Sequence, residues 1–258
     1  MNDEFYIGWE AKTPPGIASR VHRAVMLLAA LAVALGAVLA IAQHTIGVSV
    51  FEWGKIKNFS GVFQSAPYPH LLVVRPGASN TPTAFSSYYL VKPFKFGIDA
   101  ATANALDGKF VTLKGTLIYR QNQTMIEVAG GTLKAATGPG SEVTNALALQ
   151  PVNLGRQTLT GEIVDSKCIL GVMNPGQLEP HRACAINCIR GGIPPVLVVR
   201  QKDGPALYLL LVSADGKPVN DQILDLVAEP VEITGEVTRQ GDSLTLRANP
   251  ATYRLVGH

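Results

Sequence analysis

The longest apolar run in the chain lies near its amino terminus. From Ala24 to Ala42 no charged or strongly polar side chain occurs. A helix rises about 1.5 Å per residue, so this run is long enough to cross most of a hydrocarbon core of about 30 Å. The pattern therefore predicts one transmembrane helix over residues 24–43.

A cleaved signal peptide is the alternative for this run, because Ala40-Ile41-Ala42 resembles a small-residue cleavage site. A retained helix is favoured because the run exceeds the usual signal-peptide core of about 7–15 residues. The segment ahead of it, residues 1–23, is also long and carries Asp3, Glu4 and Glu10, unlike a short basic n-region. Arg20 and Arg23 lie just ahead of the run, and the first lysines beyond it lie farther away. The positive-inside rule then predicts a protein of the inner membrane, with a cytoplasmic amino terminus and the remainder in the periplasm.

Residues 1–23 form the predicted cytoplasmic arm. Phe5, Tyr6 and Trp9 supply three aromatic side chains within five residues, and no sustained helical period accompanies them. Aromatic residues next to a membrane helix are typical of an interfacial belt. The same residues are compatible with an arm that docks onto a partner subunit, and both interpretations stay open.

Beyond about residue 50 the pattern changes to short runs of β-branched and aromatic residues separated by Gly, Pro and Asn, which predicts a mainly β chain. The predicted strands fall into two sets on either side of a Gly- and Ser-containing linker at residues 136–157. The first set is 55–63, 71–75, 87–91, 110–120 and 124–128. The second set is 158–164, 196–200, 206–212, 231–239 and 243–248.

The two sets are similar enough to indicate an internal repeat. For example, the segment His70–Arg75 reads HLLVVR and Pro195–Arg200 reads PVLVVR, and in both halves a short helical stretch precedes the fourth strand. Five short strands with a helix between the third and fourth are typical of a small Greek-key barrel of the OB type. We therefore predict two tandem OB-like β domains, at residues 50–135 and 158–258.

The second domain carries an insertion that the first lacks. Only residues 64–69 separate the first two strands of the first set, whereas residues 165–194 intervene in the second. This insertion, here called the cysteine block, contains all three cysteines of the chain. A short helix is predicted over residues 179–189, with His181, Cys184 and Cys188 at i, i+3 and i+7 on one face.

Together with Cys168, these residues give the pattern C-x12-H-x2-C-x3-C. Three thiols and an imidazole are the ligands of a tetrahedral zinc site, so Cys168, His181, Cys184 and Cys188 are the candidate metal ligands. Soft thiolates also bind copper(I) or iron–sulfur clusters. Both are less favoured than zinc; for copper the reason is that the single His precedes the cysteines and no second His is near.

Two other interpretations of the cysteine block remain open. Outside the membrane, a disulfide from Cys168 to Cys184 or Cys188 would join the insertion to its barrel and leave one buried thiol. A reactive thiol is the third interpretation, with His181 as its base and Asp165 as the orienting group. No nucleophile elbow, phosphate loop or paired-carboxylate motif supports an enzyme, so a non-catalytic role is favoured.

The cysteine block also carries a family resemblance. The series D-x-x-C, H-x-x-C-A-x-x-C-I and G-G-x-P within Gly161–Arg200 resembles a motif of bacterial exported or membrane-anchored proteins. The resemblance marks five positions and implies no particular reaction. These positions are Asp165, Cys168, His181, Cys184 and Cys188.

Charge and composition narrow the expected function. The net charge of +3 is small and the basic residues are scattered, so nothing indicates binding to nucleic acid. We expect a single-pass, non-catalytic accessory subunit that acts as a scaffold in a larger membrane complex, related to electron transfer. Its partners would be other membrane subunits, reached through the arm, the helix and the β domains. The alternative is a stand-alone periplasmic metal-binding or redox protein that uses the four candidate ligands.

Overall fold

The structure is a computed structural model that describes residues 12–43, 49–75, 85–121, 123–202 and 204–256. The chain divides into two compact units, Met1–Gly47 and Val48–His258. The first unit contains a single long helix within its described part. The second unit contains every β-strand found among the described residues.

The amino-terminal helix, α1, spans Pro15–Gln43. Within the described residues it is the one helix long and apolar enough to cross a membrane. The prediction of an apolar helix of membrane-spanning length is therefore confirmed. The helix begins inside the segment predicted as a cytoplasmic arm. Pro15 is favourable in a first helical turn, and Ile17 and Val21 already have helical spacing before the continuous apolar run. The aromatic residues of the arm lie outside the described residues.

The first barrel consists of five strands and one helix, joined in the order predicted for an OB fold. Strands β2, β3 and β4 form an antiparallel meander; β5 pairs with both β2 and β6, and β6 closes the barrel by pairing in parallel with β4. The bounds are β2 Lys57–Gln64, β3 His70–Val74, β4 Phe85–Val91, α2 Ala100–Leu106, β5 Phe110–Arg120 and β6 Gln123–Val128. Two short strands, β1 Ser49–Phe51 and β7 Lys134–Ala135, pair with β5 outside this barrel.

The second barrel repeats this topology strand for strand. Its third and fifth strands pair in parallel, and its fourth strand joins the fifth to the first. The bounds are β8 Val152–Asp165, β9 Pro195–Val199, β10 Leu207–Val212, β11 Pro230–Gln240 and β12 Ser243–Arg247, with a short β13 Arg254–Leu255 on β11. Two 3-10 turns, Asn220–Gln222 and Leu224–Leu226, stand where the first barrel has α2. The prediction of two closed OB-like barrels is therefore confirmed.

The predicted linker differs from the structure. Residues 136–157 contain a helix, α3 (Gly140–Leu147), and the first residues of β8. The buried side chain of Ala146 packs with Val62, Leu72 and Phe85 on the outer face of the first barrel. Glycine, proline and polar residues conceal the apolar i, i+3 spacing of this helix. The first residues of β8 are exposed and include Gly155, so they lack the buried apolar run of a typical strand and their pairing with β11 was not predicted.

A shared apolar core joins the two barrels. Each barrel has its own interior, because alternate residues of a strand point to opposite faces. The outward residues of β9 and β10 pack against those of β4, β5 and β6. The cluster includes Val196, Val198, Tyr208, Leu210 and Val212 from the second barrel and Tyr89, Val91, Ile118 and Met125 from the first.

This packing covers the faces that OB folds commonly use for ligands. Oligonucleotides and oligosaccharides bind at the face of the second and third OB strands. In the second barrel those strands are β9 and β10, and their outer face lies against the first barrel. In the first barrel they are β3 and β4, where Leu72 and Phe85 lie under α3.

Candidate functional site

The cysteine block folds as three short helical pieces between β8 and β9. A π turn, Cys168–Val172, follows β8 directly, and a 3-10 turn, Glu179–His181, leads into helix α4, Arg182–Arg190. Proline at the second position of Glu179–His181 is compatible with a helix start. The predicted helix over 179–189 therefore exists as a 3-10 turn continued by α4.

The block faces the first barrel. Gly171 lies against the backbone of Val50 in β1, where an added Cβ would be 2.7 Å from the Val50 carbonyl carbon. The side chain of Arg120, in β5, donates a hydrogen bond of 3.0 Å to the carbonyl of Ile169. The insertion is thus part of the interface between the two barrels of one chain.

The structure brings all three thiols together at this interface. The sulfur atoms of Cys168, Cys184 and Cys188 lie within 4.8 Å of one another. Cys168 and Cys188 are buried and belong to the apolar core between the barrels, whereas Cys184 is half-buried. All three are free thiols in the structure, and the disulfide alternative stays a prediction.

His181 pairs with the carboxylate of Asp165 and is not grouped with all three thiols. Its Nε2 is 2.9 Å from Oδ2 of Asp165, and the other oxygen of that carboxylate accepts a 2.8 Å hydrogen bond from the backbone N–H of Cys168. Asp165, Cys168 and His181 form a second group with ligand atoms within 4.8 Å. A buried carboxylate needs such donors, and Asp165 is fully buried. The four predicted ligands thus divide into two groups that share Cys168.

A cation that the sequence analysis missed completes the site. Lys95 extends from the loop of residues 92–97, which follows β4 of the first barrel. Its Nζ lies 2.7 Å from Sγ of Cys184 and 3.7 Å from Sγ of Cys188. The hydrogen bond to Cys184 is the main reason that the pKa of Lys95 is raised.

The thiols differ in acidity because of their contacts. The pKa of Cys188 is lowered to about 7, mainly because the Cys168 thiol donates a hydrogen bond to its sulfur, and the charge of Lys95 acts in the same direction. The same hydrogen bond, together with burial, raises the pKa of Cys168. Cys168 and Cys188 interact, so the lowered pKa belongs to this pair of thiols rather than to Cys188 alone. Thiolate is the form that binds metals and reacts with electrophiles.

Close backbone contacts place the Lys95 loop on the end of α4. The N–H of Gly97 donates a 2.9 Å hydrogen bond to the carbonyl of Gly191. A Cβ on Gly191 would lie 1.9 Å from the carbonyl oxygen of Lys95, and a Cβ on Gly97 would lie 2.3 Å from that of Gly192. The Gly191-Gly192 pair ends α4 and, because neither residue has a side chain, also leaves room for the backbone of the Lys95 loop.

A buried lysine fixes the same loop from the other side. Lys167, next to Cys168 in sequence, donates hydrogen bonds to the carbonyls of Lys92 (2.9 Å) and Phe94 (2.7 Å). Its Nζ also forms an ion pair of 2.6 Å with Glu127 in β6. Phe94 has a φ of 62°, a left-handed conformation that a bulky residue rarely adopts without support. The Lys167 contacts supply that support.

We expect Gly191→Ala to destabilise the fold by about 1–3 kcal/mol, the usual cost of forcing an extra methyl group into a filled space. The new Cβ would push the Lys95 backbone away from α4. Thermal unfolding of the purified chain measures the change. Gly130→Ala is the control, because no atom lies within 4 Å of a Cβ built there. Equal stability of the two variants would contradict the tight docking of the loop.

One sequence signal could have revealed the loop. In the second barrel the equivalent connection after β10 is the polar Ser213–Pro218, whereas the first has Lys92–Gly97, which reads KPFKFG. Two phenylalanines and two lysines are unusual in a simple polar turn. The repeat comparison therefore marks this loop as different, although nothing in the sequence shows that it reaches the cysteines.

The site has the chemistry of a soft-ligand centre. Three sulfur ligands converge from two elements, and soft thiolates select zinc, copper(I) or iron–sulfur clusters over hard cations. The carboxylate of Asp165, held by His181, accepts a hydrogen bond from the backbone N–H of Cys168. Residues that hydrogen-bond to metal ligands without touching the metal commonly orient those ligands in this way. The fold and site together define a chain of two fused OB-like barrels with a thiol cluster between them.

Comparisons with known proteins show no family for this chain. No protein-family model and no curated protein matches the chain. Among solved structures, a deletion mutant of the single-stranded DNA binding protein from Thermus aquaticus is similar at 10% identity and a TM-score of 0.25, covering 82% of this chain and 89% of that one. The wild-type form of that protein gives 11% identity, a TM-score of 0.24 and coverage of 82% and 87%. The assignment of the barrels rests on their strand order.

Proposed function

We propose that the protein is a membrane-anchored metal-binding protein that holds one soft ion, zinc(II) or copper(I), at Cys168, Cys184 and Cys188. The observation that carries the proposal is the convergence of the three sulfur atoms within 4.8 Å, although they come from two separate helical pieces. Isolated buried cysteines behave as small apolar residues and need no such grouping.

The surroundings of the cluster favour a bound ion. Three thiolates would place three negative charges in a largely apolar interface, which is costly without compensation. A soft cation supplies that compensation, and Lys95 reduces the remaining negative charge. Cys184 is half-buried and offers an entry path, whereas the two buried thiols shield the ion from solvent.

The membrane location belongs to the same proposal. Helix α1 serves as a single anchor, with Arg20 and Arg23 on the cytoplasmic side and both barrels in the periplasm. In that compartment thiols are exposed to oxidants, and a ligated cluster is protected from them. If the His181 imidazole turns from Asp165 to the metal, it becomes a fourth ligand and the tetrahedral Cys3His site favours zinc. If only the three sulfur atoms bind, the site favours copper(I).

Elemental analysis of the detergent-purified full chain tests the proposal. We expect about one equivalent of zinc or copper per chain, and its loss in Cys184→Ser, which changes the least buried of the three ligands. Met173→Leu is the control, since it replaces an exposed sulfur outside the cluster. A chain that stays metal-free after incubation with each metal under reducing conditions would overturn the proposal.

A second function, accessory subunit of a larger membrane complex, is favoured by exposed apolar side chains on the β unit. Trp53 is 78% exposed, Phe94 82% and Phe96 57%. Exposed aromatic residues of this size are typical of protein interfaces. Phe94 and Phe96 flank Lys95, so a partner seated there would contact the loop that closes the thiol site. A role in electron transfer would place that site beside the partner's redox centre.

The size of the particle in mild detergent tests this second function. Protein extracted from its native membrane is expected to migrate well above a free monomer, and Trp53→Ser and Phe96→Ser are expected to weaken that association. Leu255→Ser is the control, because Leu255 is 48% exposed on the short β13 rather than on either aromatic site. Migration of the wild-type chain as a free monomer would rule out the accessory role.

A further inference from the structure

We propose that Lys95 and Cys184 are the two halves of a reversible covalent crosslink in which one oxygen atom joins Nζ to Sγ. The structure assigns this pair as an oxidative modification site between the barrels. The modification acts on the thiol site of the proposed function, but its chemistry does not depend on metal binding.

The separation of the two atoms is the first support. Nζ of Lys95 lies 2.7 Å from Sγ of Cys184. Hydrogen bonds from nitrogen to oxygen are about 2.7–3.2 Å long, and sulfur is a larger atom whose hydrogen bonds are longer. The pair is therefore closer than an N–H···S hydrogen bond requires. A single bridging oxygen holds a nitrogen and a sulfur atom at about this separation.

The rigidity of the loop is the second support. A surface lysine ordinarily loses side-chain freedom when it is held in one position, and an exposed ion pair compensates poorly for that loss. Here the backbone on both sides of Lys95 is fixed, by Lys167 at Phe94 and by Gly191 at Gly97. The amine and the thiol are thus presented to each other by the fold.

Solvent access and distance favour Cys184 over Cys168 and Cys188 as the sulfur of the crosslink. Cys184 is half-buried and within reach of dissolved oxygen, whereas Cys168 and Cys188 are buried. Cys184 and Cys188 are one helical turn apart, and their Cα–Cβ vectors diverge, which disfavours a disulfide between them. Cys188 is 3.7 Å from Nζ, so Cys184 is the nearer sulfur to Lys95.

The reaction uses dioxygen as the oxidant. After the Lys95 ammonium releases one proton to solvent, its amine, the Cys184 thiol and one O2 give the S–O–NH linkage and one water. The S–H bond, one N–H bond and the O–O bond break, and one S–O bond, one N–O bond and the two O–H bonds of water form. Sulfur and nitrogen each give up two electrons, which accounts for the four-electron reduction of dioxygen. Two equivalents of a dithiol reverse the step and return the thiol, the amine and water. The bridge removes Cys184 from the metal ligands while it persists.

Intact-mass spectrometry of the full chain in detergent, freed of metal by chelation, tests the crosslink. The air-equilibrated chain is expected to be heavier by about 14 Da than the same chain after reduction, the gain of one oxygen and loss of two hydrogens. Peptide mapping should locate this mass in a linked pair of peptides that contain Lys95 and Cys184. Iodoacetamide should label two of the three thiols before reduction and all three after it.

Two lysine variants separate the crosslink from a simple ion pair. Lys95→Arg keeps the positive charge but cannot form the bridge, so the mass gain should disappear. Lys92→Arg should retain the gain, because Lys92 lies in the same loop but pairs with Asp99. An unchanged mass in air overturns the proposal, as does a loss of about 2 Da from a disulfide or a gain of about 16 Da from a sulfenic acid. Persistence of the 14 Da gain in Lys95→Arg or Cys184→Ser also overturns it. Metal analysis gives an independent result, so the two proposals can fail separately.

Discussion

Lys167→Met is expected to destabilise the folded chain by about 3–5 kcal/mol, the usual cost of leaving one member of a buried ion pair without its partner. The Lys167 side chain is 3% exposed and that of Glu127 is 15% exposed. Methionine retains the apolar stem but removes the charge that Glu127 requires. It also removes the donor to the carbonyls of Lys92 and Phe94. Equilibrium denaturation by urea measures the loss.

Lys217→Met is the matched control for this prediction. Lys217 forms an ion pair with Asp215, but both side chains are well exposed to solvent, so little change in stability is expected. The double variant Lys167→Met/Glu127→Gln should recover part of the lost stability, because the unpaired buried charge is then absent. A single variant as stable as the control would show that the ion pair does not hold the barrels together.

Cys188→Ser is expected to lower the affinity for the bound metal by at least about 100-fold, since it removes a thiolate ligand from the centre of the cluster. His181→Gln is expected to lower it by about 10-fold. In the structure His181 contacts Asp165 and acts on Cys168 through that carboxylate, and outer partners of this kind have smaller effects than ligands. Competition with a chromogenic chelator measures both affinities.

The comparison of these variants also distinguishes the two metals. A loss in His181→Gln as large as that in Cys188→Ser would show that the imidazole turns from Asp165 to the metal and completes a tetrahedral zinc site. Retention of all metal in Cys188→Ser would contradict the thiol cluster as the binding site. Met173→Leu is again the control, because its sulfur is not among the grouped ligands.

Short runs of β-branched and aromatic residues between turn residues predicted the strands, because each strand is marked by its own local sequence. In β9, for example, Leu197 points into the second barrel and its neighbours Val196 and Val198 point to the first, so the run is apolar throughout. Helix α3 was missed because its few apolar residues lie among glycine, proline and polar residues. The start of α1 was placed too late for a similar reason, since polar residues interrupt its first turns.

The candidate site was only partly predictable, because it depends on contacts between distant segments. The spacing of Cys184 and Cys188 on one helix placed them correctly on one face. The same spacing put His181 beside them, and its imidazole pairs with the buried carboxylate of Asp165, within 4.8 Å of the Cys168 sulfur. Lys95 lies 89 residues before Cys184, and only the packing of one barrel on the other brings them together.

The docking of the Lys95 loop onto Gly191 makes the thiol site a product of both barrels. The cation comes from one copy of the repeat and the thiols from the other, so neither copy contains a complete centre. A chain cut between the two barrels would therefore separate Lys95 from the three sulfur atoms. Any property that needs both the amine and the thiols would be lost unless the two parts reassociate.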